Sequence, residues 1–215
     1  MSFNDLIDNP TPRCPCLLVL DTSGSMSGAP IQQLNAGVKQ FIRALQDDDT
    51  AKHSVEVAIM VAGEMVEEVM PFTTASHIEQ TITFEACGLT PLGEAVSRGL
   101  DMLEQRKAEY QQTGTSYYQP WLVVISDGAP TDDWLPAAAR AKSLADNRKL
   151  ISLPVGVDSA DMDILGEFSN RPALKLNGLK FAQFFQWLSA SMSRVSNSNV
   201  GDQVGLPPVD GWAAI

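Results

Sequence analysis

The apolar segment Cys16-Leu17-Leu18-Val19-Leu20 runs directly into the polar loop Asp21-Thr22-Ser23-Gly24-Ser25, and this junction decides the fold. The first half is a short apolar run of the kind that forms a strand buried on both faces of a sheet. In the second half, Asp21, Ser23 and Ser25 alternate with other residues. A buried strand that ends in such a loop is typical of the carboxyl edge of an open parallel sheet, where ligands bind.

Other segments extend the same pattern along the chain. Compact apolar runs at 55–61, 121–125 and 150–157 predict further buried strands, and the stretch 64–70 predicts an antiparallel edge strand in a hairpin with the second run. Between the runs, apolar residues recur every three or four positions, which predicts amphipathic helices. These helices are expected at 31–45, 92–110, 137–144, 162–168 and 181–195, with a shorter one at 74–82. We therefore expect an α/β fold, with a doubly wound, mainly parallel central sheet, one antiparallel edge strand and helices on both faces.

The length of 215 residues suits one such domain with short extensions. We predict a lead-in at 1–13, the domain at 14–195 and a flexible tail at 196–215, where Ser, Asn, Gly and Pro predominate. Docking of Trp212 on the domain or on a partner is an alternative to a free tail.

The formal net charge of -11 argues against nucleic acid as a partner, because nucleic-acid binding depends on clustered Lys and Arg. No apolar stretch approaches the ~20 residues that cross a bilayer, and the first residues lack the features of a signal peptide, so we expect a cytoplasmic protein without membrane contact. Three cysteines, an odd number, also suit a reducing compartment. Cys14 and Cys16 lack the further ligands of a zinc site, and Cys16 and Cys87 are expected to be buried apolar side chains.

Two further polar loops are expected at the same edge of the sheet as Asp21. One is Ser126-Asp127-Gly128, which follows the third compact run, and the other is Leu89-Thr90-Pro91, which opens a helix with Thr90 in the N-cap position. Each loop alone is also an ordinary turn or helix cap. Together they offer hard oxygen donors, which suit Mg²⁺ or Mn²⁺ better than zinc or copper. The expected donors are Asp21, Ser23, Ser25, Thr90 and Asp127.

The charge of this donor set indicates what the ion would bind. Two carboxylates only balance a dication, and hydroxyls add no charge, so the ion stays electrophilic. We expect an open coordination position to accept a Glu or Asp carboxylate from a partner protein, with phosphate as the rival ligand.

Two alternative functions stay open. A Mg²⁺-dependent hydrolase or phosphoryl-transfer enzyme would need a phosphate loop or a general base, and the three loops contain neither a Gly-x-x-x-x-Gly-Lys motif nor a histidine. An assembly protein with a vestigial metal site would instead use exposed groups such as Asp132-Asp133-Trp134 and the tail with Trp212. We expect no catalysis.

These residues resemble a known motif. The stretch 21–26, with 89–93 and 126–128, is similar to the metal-ion-dependent adhesion site of von Willebrand factor A domains, and the similarity covers about residues 14–195. Within that superfamily the chain resembles bacterial cytoplasmic TerY-type proteins of tellurium-resistance and stress gene clusters. The resemblance implies a Rossmann-like sheet, protein binding without catalysis, partners such as kinase- or phosphatase-like proteins of the same system, and the five ligands named above. One departure is Ala62-Gly63, where many relatives carry a Phe-Asp-like pair.

Overall fold

Seven strands form a single sheet in the described part of the chain. The structure is a computed structural model that describes residues 6, 9–79, 82–157, 160–209 and 213–214. The strands are β1 (Cys14–Asp21), β2 (Val55–Ala62), β3 (Val66–Thr74), β4 (Trp121–Ser126), β5 (Ile151–Gly156), β6 (Leu174–Leu176) and β7 (Ala213–Ala214). Their order across the sheet is β3-β2-β1-β4-β5-β6-β7.

Six α-helices flank this sheet within the described ranges. They are α1 (Ala29–Asp47), α2 (Ala51–Ser54), α3 (Leu92–Thr113), α4 (Leu135–Asp146), α5 (Met162–Gly166) and α6 (Phe181–Ser196). The helices expected from the apolar spacing at 31–45, 92–110, 137–144, 162–168 and 181–195 are all present, with ends that differ by a few residues. Two short 3-10 turns lie at Gly24–Met26 and Ala75–His77.

The sheet is parallel except at its edges. β2 and β4 pair with β1 in parallel, β5 follows β4, and β3 runs antiparallel to β2. This confirms the predicted fold class, including the antiparallel edge strand. β6 and β7 were not predicted, because three-residue and two-residue strands are too short to show an apolar pattern.

The core has two layers, one on each face of the sheet. Cys16, Leu18 and Leu20 of β1 pack toward α1 and α6, whereas Leu17 and Val19 pack toward α3 and α4. All eight residues of β1 are buried. The two layers explain why the central strands read as unbroken apolar runs, and they place the end of β1 between two groups of helices.

Three local predictions were wrong. The segment predicted as a helix at 74–82 is the end of β3 followed by a 3-10 turn, and residues 80–81 lie outside the described part. Thr90 is not the N-cap of α3, since Pro91 holds that position. Cys87 is exposed, whereas Cys14 and Cys16 are buried, and all three thiols are free. Cys14 and Cys16 are buried because they lie in the central strand β1. Cys87 is exposed because it lies in a loop.

The described part of the segment predicted as a flexible tail lies against the domain. Trp187 in α6 donates a hydrogen bond from Nε1 to the Pro207 carbonyl oxygen at 2.7 Å, and Arg194 donates one to the Gly205 oxygen at 3.1 Å. Val204 and Leu206 pack on the core, and Ala213–Ala214 pairs with β6. The contacts come from a few apolar residues within a polar composition. The predicted docking residue Trp212 lies outside the described residues.

A buried ionic cluster lies at the amino-terminal ends of the strands. Glu56 in β2 is fully buried and accepts two hydrogen bonds from Arg106, at 2.8 and 2.7 Å. The Tyr110 hydroxyl donates a third hydrogen bond to Glu56, and Arg13 lies 3.6 Å from the same carboxylate. Burial of Arg106 would lower its pKa, but hydrogen bonds and the charge of Glu56 raise that pKa well above the usual value. This cluster ties α3 to the sheet at the end opposite the polar loops.

No helix in the described ranges is long and apolar enough to cross a membrane.

Candidate metal centre

The loops that follow β1 and β4 meet because these two strands are parallel neighbours. The register pairs Leu20 with Ile125, so Asp21 and Ser126, one residue further along each strand, come side by side at the carboxyl edge. The Ser126 hydroxyl donates to Oδ2 of Asp21 at 2.5 Å. The Ser23 amide donates to Oδ1 of the same carboxylate at 2.9 Å. Asp21 is fully buried, and both its oxygens are fixed in position.

A continuous line of oxygen atoms joins the first loop to the third. The hydroxyl oxygens of Ser23 and Ser25 lie 2.9 Å apart, and Ser25 donates to Oδ1 of Asp127 at 2.7 Å. Ser23 and Asp127 are buried, whereas Ser25 is exposed. The structure therefore brings these predicted donors to one place, with solvent on the side of Ser25.

The loop that carries Thr90 is joined to both other loops through the backbone. The Gly24 amide donates to the Gly88 carbonyl oxygen at 3.0 Å, and the Thr131 amide donates to the Thr90 oxygen at 2.9 Å. In return, the Thr131 hydroxyl accepts from the Thr90 amide at 3.1 Å. Thr90 is buried beside the first and third loops. All five predicted donors thus lie in three directly connected loops.

Gly63, in the Ala62-Gly63 departure, is closely surrounded. A Cβ atom on Gly63 would lie 2.6 Å from the Thr22 hydroxyl oxygen and 3.1 Å from two carbonyl oxygens, so a side chain there would require its neighbours to shift. Thr22 itself is held between the end of β2 and a loop, because its amide donates to the Ala62 carbonyl oxygen at 2.7 Å and its carbonyl oxygen accepts from the Cys87 amide at 2.8 Å. The rim at this point is built from backbone.

Three residues that hold the loops were not predicted from the sequence. Ser126 fixes Asp21, and Thr131 fixes the Thr90 loop. Asp132 accepts hydrogen bonds from the Gly93 amide at 3.0 Å and the Glu94 amide at 2.7 Å, so it caps α3 from another loop. The contact of Ser126 with Asp21 follows from aligning the ends of β1 and β4 in parallel register. No local signal identifies Asp132 as a cap, because it lies 39 residues from Gly93.

The donor set fits a small hard cation. Mg²⁺ holds oxygens at about 2.0–2.1 Å in an octahedron, so adjacent ligand oxygens are separated by about 2.9 Å. The two successive oxygen separations in the line from Ser23 to Asp127 are 2.9 and 2.7 Å, close to that value. The described residues contain no group of three or more His, Cys, Asp or Glu placed to bind a metal, so hydroxyls must supply part of any coordination shell here. The role of the five residues as ligands stays a prediction.

Both histidines lie away from this centre. His53 is in α2, directly before the start of β2, and His77 follows the end of the antiparallel strand β3. Both positions are at the amino-terminal edge of the parallel strands. Neither imidazole is therefore placed to act as a general base at the three loops.

Comparisons with known proteins find one family and one fold. The von Willebrand factor type A domain matches residues 17–206. The pilus adhesin SpaC from Lactobacillus rhamnosus GG superposes with a TM-score of 0.69 at 14% identity, over 86% of this chain and 30% of its own. Proximal thread matrix protein 1 from the mussel byssus superposes at 0.61, with 14% identity over 86% of this chain and 49% of its own.

A third similar structure is the ArnB paralog VWA2 from Sulfolobus acidocaldarius, with a TM-score of 0.57 and 15% identity over 84% of this chain and 45% of its own. The chain spans less than half the length of each of these three proteins. A search of curated proteins finds no match. At these identities the likeness to solved structures concerns the fold alone.

Proposed function

Because this chain belongs to the von Willebrand factor type A domain family, we propose that it is a non-catalytic interaction module. It would bind a Mg²⁺ or Mn²⁺ ion and, through that ion, capture a Glu or Asp carboxylate of a partner protein. The observation that carries the proposal is the line of oxygens from Ser23 through Ser25 to Asp127, which brings hydroxyl and carboxylate donors of two loops together. Asp21, Ser23, Ser25, Thr90 and Asp127 would hold the ion. The bound ion would supply an open coordination position that attracts an anion.

The charge of the donor set favours an anionic partner group. Asp21 and Asp127 offset the charge of a dication, and the hydroxyls of Ser23, Ser25 and Thr90 are neutral. An ion held in this way keeps its attraction for a further carboxylate, and the exposed side chain of Ser25 indicates the direction from which it would arrive. The ion would then bridge two proteins.

The position of both histidines weighs against the alternative of a Mg²⁺-dependent hydrolase. His53 and His77 lie at the opposite edge of the sheet. Support for binding also comes from the fold, since one protein of similar structure is a pilus adhesin. The alternative of a vestigial site loses part of its basis, because Asp132 caps α3 and the half-buried Trp134 ring packs 5.9 Å from Phe168.

Three free cysteines fit a reducing compartment, so we place the protein in the cytoplasm as part of this proposal. A role in a tellurium-resistance or stress-response system, with kinase- or phosphatase-like partners, stays a prediction from sequence resemblance.

The test is calorimetric titration of Mg²⁺ and Mn²⁺ into the wild type, Asp21→Ala and Asp49→Ala. Asp49 is an exposed residue paired with Lys52, so its substitution changes the charge equally without touching the loops. We expect saturable binding in the wild type and Asp49→Ala and none in Asp21→Ala. Equal heats in all three proteins would refute the metal centre. Hydrolysis of generic phosphate esters by the wild type, lost in Asp21→Ala, would favour the enzyme.

A further inference from the structure

Three exposed apolar side chains lie on two loops and one helix start around the candidate metal centre. Only four large hydrophobic residues are exposed in the described part of the chain, and three of them are Met65, Leu89 and Leu135, at 73%, 68% and 61% exposure. A single exposed apolar residue is ordinary, but several on adjoining loops form a patch that marks an interaction surface. We call these three residues the apolar rim.

Two glycines allow the loops of the apolar rim to approach one another. A Cβ atom on Gly88, the residue before Leu89, would lie 2.4 Å from the backbone of Glu64, next to Met65. A Cβ atom on Gly93 would lie 2.5 Å from Cα of Trp134, next to Leu135. The segments that carry Met65 and Leu135 thus both approach the segment 88–93, which carries Leu89 and Thr90.

The loops around the candidate metal centre carry only acidic charged residues in their described parts, and the nearby Arg98 of α3 is paired with Glu94. In the described residues, the stretches 21–30, 62–65, 85–93, 126–135, 157 and 160–161 contain seven acidic residues and no Lys, Arg or His. A bound dication would offset only two of these seven charges. The first basic residue in a loop at this edge is Lys180, which follows β6. In the sheet, β5 lies between β6 and β4. An incoming carboxylate is therefore attracted by the ion and repelled by the acids around it.

We propose that the partner presents a protein segment in which one Glu or Asp is flanked by Lys or Arg and by a large apolar side chain. This inference rests on the proposed function, and it specifies the partner of the same site. Basic flanks would pair with exposed acids such as Glu64 and Asp133, and the apolar side chain would cover Leu89. Complementary charge of this kind also accelerates association and rejects acidic competitors.

The first experiment selects the partner chemistry without assuming it. A random linear peptide library is panned on the wild-type protein in excess Mg²⁺ and eluted with EDTA. We expect eluted peptides to carry a Glu or Asp, with Lys, Arg and large apolar residues enriched beside it and further acidic residues depleted. Flanks that match the unselected library, or that are acidic, would overturn the inference while leaving the metal bridge intact. Equal recovery on Asp21→Ala would overturn the proposed function itself.

The second experiment tests the rim residues with the best selected peptide. Reversing one charge near a flanking cation changes the affinity about tenfold at low ionic strength, so Asp133→Lys should weaken binding by about that factor. The matched control is Glu79→Lys, because Glu79 is exposed at the opposite edge of the sheet. Leu89→Ser should weaken binding by about tenfold or more through lost apolar burial, with an unchanged Mg²⁺ affinity by calorimetry. Wild-type peptide affinity in both rim variants would contradict the inference.

Discussion

The hydroxyl of Ser126 donates a 2.5 Å hydrogen bond to the buried carboxylate of Asp21. These residues end neighbouring parallel strands, so the contact joins the first loop to the third before any ligand is involved. It also leaves Oδ1 of Asp21 to accept from the Ser23 amide, which turns the first loop toward Ser25 and Asp127. The shape of the candidate metal centre thus depends on a residue that is not among its predicted ligands.

Replacing Ser126 with Ala should weaken metal binding without removing a ligand. Loss of a hydrogen bond to a ligating carboxylate costs about 10–100-fold in metal affinity, and we expect a fall of that size for Mg²⁺. Isothermal titration measures it. Ser143→Ala, an exposed serine on α4, should keep the wild-type affinity. An unchanged affinity in Ser126→Ala would mean that Asp21 does not contact the ion.

Bound Mg²⁺ should stabilise the folded chain in proportion to its binding. At a free ion concentration of a hundred times Kd, the stabilisation is about 2.7 kcal/mol. For a chain of this size, that free energy corresponds to an increase in Tm of roughly 5–10 °C. We expect this increase for the wild type, measured by thermal denaturation with Mg²⁺ and with EDTA, and no increase for Asp21→Ala. A similar shift in both proteins would place the ion elsewhere.

The number of oxygen donors predicts selectivity between ions. Ca²⁺ takes six to eight oxygens at about 2.3–2.6 Å, whereas Mg²⁺ takes six at about 2.0–2.1 Å and keeps several waters. Five predicted donors with two carboxylates suit the smaller shell of Mg²⁺ better, and the backbone hydrogen bonds between the loops resist expansion. Competition titrations should show tighter binding of Mg²⁺ than of Ca²⁺. Preference for Ca²⁺ would show that the loops open freely.

Replacing Arg106 with Met should destabilise the fold without affecting the metal centre. The buried carboxylate of Glu56 would lose two hydrogen bonds and a nearby charge, and breaking a buried ion pair costs about 3–5 kcal/mol. Urea denaturation measures the free energy of unfolding. The control Lys107→Met breaks the more exposed pair with Glu104 on the same helix and should cost less than about 1 kcal/mol. Equal losses in both variants would contradict this account of the cluster.

Stability should fall as the pH rises above about 9. Burial, with a smaller effect from Glu56, raises the pKa of Cys14 from 9.0 to about 12, and burial also raises the pKa of Cys16. Above the unfolded pKa, the unfolded chain has lost these protons while the folded chain keeps them, so unfolding is favoured by up to about 1.4 kcal/mol per pH unit for each thiol. The free energy of unfolding between pH 8 and 10.5 measures this slope, and Cys14→Ala should reduce it.

The sequence predicted the fold best where a pattern of residue types coincided with a defined position relative to a strand. The unbroken apolar run of β1 and the alternation of Asp21, Ser23 and Ser25 after it were enough to predict a parallel sheet with a polar edge. The Asp127 loop was predictable because the carboxyl ends of parallel strands lie at one edge, and the Thr90 loop because it opens the helix that leads to β4. Contacts between distant segments were not predictable. Asp132 caps α3 from another loop, and β6 is only three residues long. Cys87 reads as apolar in the sequence, and only its place in the loop exposes it.

Both outer margins of the sheet are protected against strand addition, which bears on how the protein behaves in concentrated solution. At one margin, β3 exposes Glu67, Glu68 and Pro71, and such residues discourage pairing with another chain. At the other margin, Ala213–Ala214 already occupies part of β6. Removing the last strand would uncover main-chain groups on β6 and give the chain a route to self-association. A shortened form should therefore precipitate at concentrations at which the full chain stays dispersed.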